Sequence, residues 1–340
     1  MKKILWKIRY YFWRVRNMDY KGLWDAINYV KERTNRNRLF IFIDMAISSI
    51  RYGSGYVDYC EFEFYDISHE KRATYLTMSH SAVAVKRFND RDYVKYFDDK
   101  GLFAKRFEKY LGREVLDLRE ASKEDFIDFT KRHAEFMAKA FDQLAGEGID
   151  YVRTDEIDDI NALYDKFMEN RQFILEEFIK QDPEMQKLSL KSVNTIRMVT
   201  FIDDEGIPHL LVSALKSGDK SIIDNIGQGG MYTILADDGS IQYPMIDQNG
   251  NKFTTHPTTG LDLLSFKVPR YEEMKKMVLE ASLEIPEVRY IGWDVALGVD
   301  GPCIIEGNSS SGPFQPIPSI TEDKLGYLPL FEKYMGPLRK

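Results

Sequence analysis

The sequence predicts an α+β protein. A mostly helical, aromatic-rich N-terminal region, residues 1–88, precedes two lobes that mix helices and strands, 89–180 and 181–340. Three observations lead there. The first ninety residues read as helices broken by loop signals. From Asn89 onward, helix-capping signals alternate with short apolar strands. Near the C-terminus, Ile291–Asn308 reads I-G-W-D-V-A-L-G-V-D-G-P-C-I-I-E-G-N, two strands joined by a turn at Asp300-Gly301.

The 340 residues are enough for two or three packed lobes. A hydrophobic share of 44% with 30% charged residues is ordinary for a globular chain. Cys60 and Cys303 are far apart and form no metal-ligand spacing, which points to a reducing, cytoplasmic compartment. No apolar run is long enough to span a bilayer, and a net charge of −7 argues against nucleic acid as a partner. Residues 1–16 stand apart, with six cations and no acid among Leu5, Trp6, Ile8, Tyr10, Tyr11, Phe12, Trp13 and Val15. Charges interrupt any signal-peptide core there. Two readings stay open: peripheral contact with an anionic membrane at its inner face, or a helix docked on its own protein.

Along the chain, residues 19–34 read as a helix, and a basic break from Arg33 to Arg38 follows. Leu39–Ile50 is an apolar run that periodicity leaves as a buried helix or strand. Tyr52–Tyr56 is a loop, and 58–67 a strand or amphipathic helix. Asp99-Lys100 opens a helical stretch ending near Gly112, ahead of a short strand at Glu114–Leu118. Ser122 with Asp125 is a capping signal for a helix reaching about His133. Strand Ala134–Ala140 carries Lys139 at its end, before a loop with Gly146-Glu147-Gly148 and a returning strand Ile149–Val152. An ammonium ahead of glycine amides suits phosphate, although no P-loop pattern occurs in the chain. A helix at about Ile157–Glu169 precedes the apolar strand Phe173–Ile179, whose acidic-apolar continuation can offer backbone groups to an adenine edge. Asn194–Phe201 and Pro208–Ser217 form an antiparallel pair carrying Arg197 and Lys216, two cations suited to a polyphosphate. Asn225 and Gly229-Gly230 lie in the next loop, and a strand–turn–strand passes through Asp238-Gly239.

In the C-terminal hairpin, side chains two apart on a strand share a face, so Glu306 and Asn308 point the same way. The turn brings Asp294 beside them. Two carboxylates and an amide oxygen form a hard, all-oxygen set of the kind Mg²⁺ prefers when it also holds phosphates. A plain hairpin with a polar face is the alternative, but the apolar Ile291, Val295, Ile304 and Ile305 make the strands buried, and buried carboxylates need a partner or a metal.

Taken in order, D-K, strand-Lys with its glycine loop, E-E-F-I, N-T-I-R, G-G and D…E-x-N resemble the ATP-grasp superfamily of carboxylate–amine ligases over roughly Asn89–Pro329. Within it, S-V-N-T-I-R-M-V-T, D-N-I-G-Q-G-G, H-P-T-T-G, I-G-W-D and I-E-G-N look most like the sugar-transfer-associated, α-L-glutamate-ligase-related group. The resemblance implies an ATP-grasp fold, two α+β lobes clasping ATP, with ATP and two Mg²⁺ (or Mn²⁺) as cofactors. Lys100, with Lys105 as the alternative, matches the first nucleotide-binding lysine, and Lys139 the second. Gly146 and Gly148 match the mobile loop over the phosphates. Glu176, Glu177, Phe178 and Ile179 match the adenine hinge. Glu184 is the candidate ribose acid, and Asn225 a further nucleotide-side residue. Arg197 and Lys216 match phosphate- or acyl-phosphate-contacting positions. Asp294, Glu306 and Asn308 match the metal ligands, with Glu306 bridging.

The implied reaction joins a small carboxylate to an amine through an acyl phosphate. An amino acid and a sugar acid or amino sugar in surface-polysaccharide assembly are the first candidates. A peptide or protein terminus as acceptor, an ATP-dependent phosphotransferase and a non-catalytic membrane-surface module are the rival readings. His256, before Pro257, is either a base toward the amine or a structural loop residue. No N-terminal Rossmann-like lobe is recognisable, so the carboxylate site has no assigned residues, and the oligomeric state is open.

Overall fold

A computed structural model describes residues 19–141, 148–218, 224, 227 and 229–338. The basic aromatic segment 1–16, Gly146 and Asn225 lie outside the described residues. The chain divides into two compact units. One holds residues 19–80 and 317–328, the other 81–316 and 329–338. The stretch Ile317–Leu328, read from sequence as part of the last lobe, thus clusters with the N-terminal unit.

The N-terminal unit is helical. Asp19 caps the helix Tyr20–Thr34 by accepting from the Gly22 N–H, and this helix buries Ala26, Ile27 and Val30. Asn37 caps the next helix, Arg38–Tyr52, which ends where Gly53 turns to a φ of +67°. This is the apolar run left as helix or strand, and the structure corrects its burial. Ile41, Met45 and Ser48 are buried, whereas Leu39, Phe40, Phe42, Ile43, Ile47 and Ile50 face outward. Residues 58–67 contain no strand: helix Tyr56–Glu61 is followed by a 3₁₀ turn, Phe64–Asp66. Their aromatic residues pack inward, with Phe62 and Phe64 lying 5.5 and 5.7 Å from the Tyr75 ring. The returning stretch is tied down where Glu63 accepts from both the N–H and the hydroxyl of Ser319.

The second unit holds two antiparallel sheets. The smaller contains β1 (Val115–Asp117), β2 (Glu135–Lys139), β3 (Ile149–Arg153) and β4 (Ile174–Glu177), in the order β1-β4-β2-β3. Helices Lys123–Arg132 and Ile160–Glu169 cover it through Phe126, Phe129 and Phe167, which pack with Phe136 and Leu175. The first of these helices starts in a full capping box, Ser122 and Asp125 each bonding the other's backbone N–H.

The larger sheet contains β5 (Thr195–Ile202), β6 (Pro208–Ser217), β7 (Met231–Ile234), β8 (Met245–Asp247), β9 (Lys252–Phe253), β10 (Tyr290–Leu297) and β11 (Pro302–Asn308), ordered β11-β10-β5-β6-β7-β8-β9. Helix Tyr271–Ser282 packs on it. The helices Arg91–Asp98, Lys100–Arg106 and Glu108–Leu111 precede the small sheet in sequence, yet Phe97, Phe103, Phe107 and Leu111 join the core of the large one, beside Trp293 and Ile304. Gly307 on β11 allows this approach: a Cβ there would meet Phe97 at 2.9 Å and Phe103 at 3.0 Å. The strand β11 is thereby pinned against the helix that begins at Lys100.

Candidate active site

The register of β10 and β11 sets the centre of the site. Asp294 stands directly opposite Glu306, and Gly292 opposite Asn308. A bulge follows, with Val295 paired to Ile304 and Ile305 left over. Asn308 donates to Glu306 Oε1 at 3.1 Å, so the two side chains share a face as strand parity requires. On the other side of β10, Arg197 is the direct cross-strand partner of Asp294. Its Nε and Nη2 each lie 2.9 Å from a carboxylate oxygen, a two-point ion pair. Lys216 on β6 adds a third bond at 3.0 Å.

These contacts separate the two carboxylates electrostatically. Burial alone would raise the Asp294 pKa, but Arg197 and Lys216 bring it down to about 2. For Glu306, crowding on the cleft floor and then the Asp294 charge hold its pKa above the ordinary value, although the side chain keeps a path to solvent. Like charges directly opposed across a sheet destabilise it, so this pair favours a cation between them. A carboxylate has about four lone-pair sites. Asp294 uses two on Oδ1 and one on Oδ2 for Arg197 and Lys216, which leaves one. Among the described residues no three Asp, Glu, His or Cys side chains cluster as metal ligands. The third ligand would therefore be the Asn308 amide oxygen. The set fits Mg²⁺ on donor chemistry.

Facing this centre is a second ionic group. Lys139, at the end of β2, places Nζ 2.7 Å from Glu176 Oε1. Arg113 donates Nε and Nη2 to Glu176 Oε2 at 2.8 and 2.6 Å. The rest of the Arg113 fork reaches β11, with Nη1 2.8 Å from the Ile304 carbonyl and Nη2 3.3 Å from that of Ile305, at the bulge. One buried arginine thus ties β11, through Glu176, to the lysine on the facing sheet. Sequence reasoning missed it. The available signal was the need of a buried strand carboxylate, Glu176, for a cation. Lys100, at the start of its helix beyond the Asp99 cap, donates to the Ala140 carbonyl at 3.0 Å, where the glycine loop begins.

Lys100, Arg113, Lys139, Glu176, Glu306 and Asn308 line one cleft of about 320 Å³. Residues 80–318 match the model of the family described as sugar-transfer associated ATP-grasp. The chain belongs to that family. No curated protein matches it. Among solved structures, the ATP-grasp ligase PsnB complexed with its minimal precursor is similar at 11% identity and a TM-score of 0.39, covering 66% of this chain and 56% of that one. D-cycloserine synthetase DcsG is similar at 11% identity and a TM-score of 0.43, covering 74% of each chain. The D-alanine-D-alanine ligase from Coxiella burnetii is similar at 10% and 0.39, covering 71% and 56%. The chain thus spans little more than half the length of PsnB.

The other sequence-derived candidates divide. On the stretch that the sequence reading expects to be the adenine hinge, the Glu177 and Phe178 N–H groups bond the Glu114 and Glu135 carbonyls, so they serve the small sheet. The Ile179 N–H has no partner among the described residues. The side chain of Glu176 turns away from a hinge role into the Arg113–Lys139 group. Gly148, at a φ of +64°, closes the base of the glycine loop, its carbonyl accepting from Ala140. Lys105 pairs with Glu120 on the surface. Glu184 sits, exposed, on the short helix Pro183–Gln186, paired with Lys187 at 2.7 Å, and does not line the cleft.

His256 is buried. Its Nδ1 accepts the N–H groups of Thr258 and Thr259, both at 3.3 Å, and Nε2 lies 3.4 Å from the Ser217 hydroxyl. Those bonds shape the loop and occupy Nδ1.

The Glu176 group has a pH consequence. Burial pushes its carboxyl up, but Arg113 and then Lys139 pull it from 4.5 down to about 2. A depressed carboxylate contributes stability that is complete above the unfolded value and lost as pH falls through the folded one. Thermal unfolding of the wild type is therefore expected to lose stability between pH 4.5 and 2 through this group. In Glu176→Gln, a curve already lower at neutral pH should be flatter across that window. An equally steep acid limb in the variant would remove Glu176 from the account.

Proposed function

We propose that this chain is an ATP-dependent carboxylate–amine ligase that forms an amide through an acyl phosphate, joining an amino acid with a sugar acid or amino sugar in surface-polysaccharide assembly. The observation that carries the reading is the cleft itself. Lysines 100 and 139 line it together with Glu306 and Asn308, and Asp294 stands opposite Glu306 on the neighbouring strand, within a chain of the sugar-transfer associated ATP-grasp family.

A carboxylate is a poor electrophile, and transfer of the γ-phosphoryl group makes it reactive. Lys100 and Lys139 hold the phosphates, and the Ile179 amide meets the adenine edge. Asp294, Glu306 and Asn308 would hold Mg²⁺, which would supply neutralisation of phosphate charge. Arg197 and Lys216 stand over Asp294 and stabilise oxyanion charge as the amine attacks and phosphate leaves. Residues 1–16 bring the enzyme to an anionic membrane surface, where a lipid-linked acceptor is met in two dimensions.

Replacing Lys139 with alanine is expected to raise the apparent KM for ATP and lower kcat together, while the KM for the amine changes little. A change confined to the amine KM would move Lys139 to another site. The whole reading is tested by phosphate release. It should require both a carboxylate and an amine, and ADP formation accompanied by a phosphorylated alcohol would replace the ligase with a phosphotransferase.

A further inference from the structure

The helix Arg38–Tyr52 is inside out. Its single acid, Asp44, points inward, where both carboxylate oxygens pair with Arg72, at 2.7 Å from Nη1 and 2.8 Å from Nη2. Tyr59 donates to the same carboxylate, and Arg72 Nη1 also donates to the Ser48 hydroxyl at 3.0 Å. Arg72 is buried and Asp44 is 24% exposed, and leaving that arginine without its counter-ion is unfavourable, which holds this side of the helix inward.

That other side carries Leu39, Phe40, Phe42, Ile43, Ala46, Ile47 and Ile50, all exposed. Phe40 is 74% exposed, Ile50 68% and Leu39 65%. Single exposed apolar residues are ordinary, but a contiguous face marks an interaction site. The patch continues onto the neighbouring helix, where the Arg38 guanidinium lies over the exposed Trp24.

Charge selects the occupant. The outward face has no acid, and its ends carry Arg38 and Arg51, with Arg33 and Arg36 just ahead. A second copy docked by a two-fold axis would bring arginine ends together, and like charges across an interface are repelled. An anionic bilayer accepts all of it: apolar side chains enter the acyl boundary, the arginines meet phosphate headgroups, and Trp24 sits at the interfacial depth that tryptophan favours. No described helix is long and apolar enough to cross a membrane, so the contact lies in the surface plane. We propose that the outward face of helix Arg38–Tyr52 is a docking surface for an anionic lipid bilayer. This proposal does not rest on residues 1–16 and is independent of the ligase reading.

The test uses the full chain with residues 1–16 in place, sedimented with phosphatidylcholine vesicles with and without phosphatidylglycerol. The triple variant Phe40→Glu, Ile43→Glu, Ile50→Glu should lose at least about tenfold in affinity for the anionic vesicles, because burial of even one such side chain is worth that much. Its melting temperature should stay that of the wild type, since all three positions are exposed. In a chain carrying Trp6→Phe and Trp13→Phe, brominated anionic lipid should quench Trp24, Trp293 being fully buried. Unchanged vesicle binding by the triple variant, or an unquenched Trp24, overturns the proposal. So does equal binding to neutral vesicles. Concentration-dependent dimers without lipid, abolished by the triple variant, would make the occupant a second copy and overturn it as well.

Discussion

Glu306→Gln should abolish turnover while leaving the melting temperature of the unliganded protein close to wild type. The substitution keeps shape and removes one charge on a side chain that opens to the cleft and whose hydrogen bond comes from Asn308. Crowding on the cleft floor and then the Asp294 charge hold the Glu306 pKa up, and the substitution relieves that repulsion, so the fold loses nothing. What disappears is the carboxylate that a divalent cation needs there. Metal stabilisation of phosphoryl charge is worth several kcal/mol, and each 1.4 kcal/mol is about tenfold in rate, so a loss of at least about 100-fold is expected. Steady-state kinetics across a Mg²⁺ titration, beside a thermal melt, checks both halves. Activity near wild type would remove Glu306 from the metal site, and a large fall in melting temperature would make it structural.

Arg113→Ala should produce the largest loss of stability. The side chain is almost fully buried and serves Glu176, the Leu111 carbonyl and the two bulge carbonyls of β11. Its removal leaves Lys139 as the one counter-ion of Glu176 and orphans the carbonyls. Breaking a buried pair costs about 3–5 kcal/mol, on the order of 10 °C in melting temperature for a unit of this size. Arg113→Lys should recover only part, because an ammonium cannot reproduce the planar fork. Because Arg113 ties β11 to the strand of Lys139, the apparent KM for ATP should rise in both variants. A melting temperature within about 2 °C of wild type for Arg113→Ala would contradict the role assigned here.

Much of the second unit was legible because its signals are local. Alternation and the Asp300-Gly301 turn set the hairpin of β10 and β11, and strand parity alone put Glu306 and Asn308 on one face. Ser122 and Asp125 announced a helix start, and the capping box is formed. What stayed illegible depends on partners distant in sequence. The bulge at Ile305 and its filling by Arg113, 191 residues from Ile304, leave no periodic trace. From sequence Glu176 is a hinge residue, because nothing in E-E-F-I reveals two cations waiting for its carboxylate. Periodicity leaves the apolar run Leu39–Ile50 as a buried helix or strand, and nothing in it says which way Asp44 points. Its partner Arg72, 28 residues on, reverses the helix. Helices 91–111 precede the small sheet in sequence yet pack on the large one, a choice made by aromatic side chains meeting Trp293.

The central claim is that ATP activates a carboxylate, and oxygen-18 follows it directly. Amino acids and uronic acids labelled in the carboxyl group would be incubated with the full chain, Mg²⁺, ATP and an amine, and the inorganic phosphate analysed by mass spectrometry. An acyl phosphate carries one carboxylate oxygen, and when the amine displaces phosphate that oxygen leaves with it. The account predicts one labelled oxygen in the phosphate for every amide formed, with none transferred by Glu306→Gln. ADP formation with the label wholly retained in the acid, and the γ-phosphoryl group found on a hydroxyl, would contradict it.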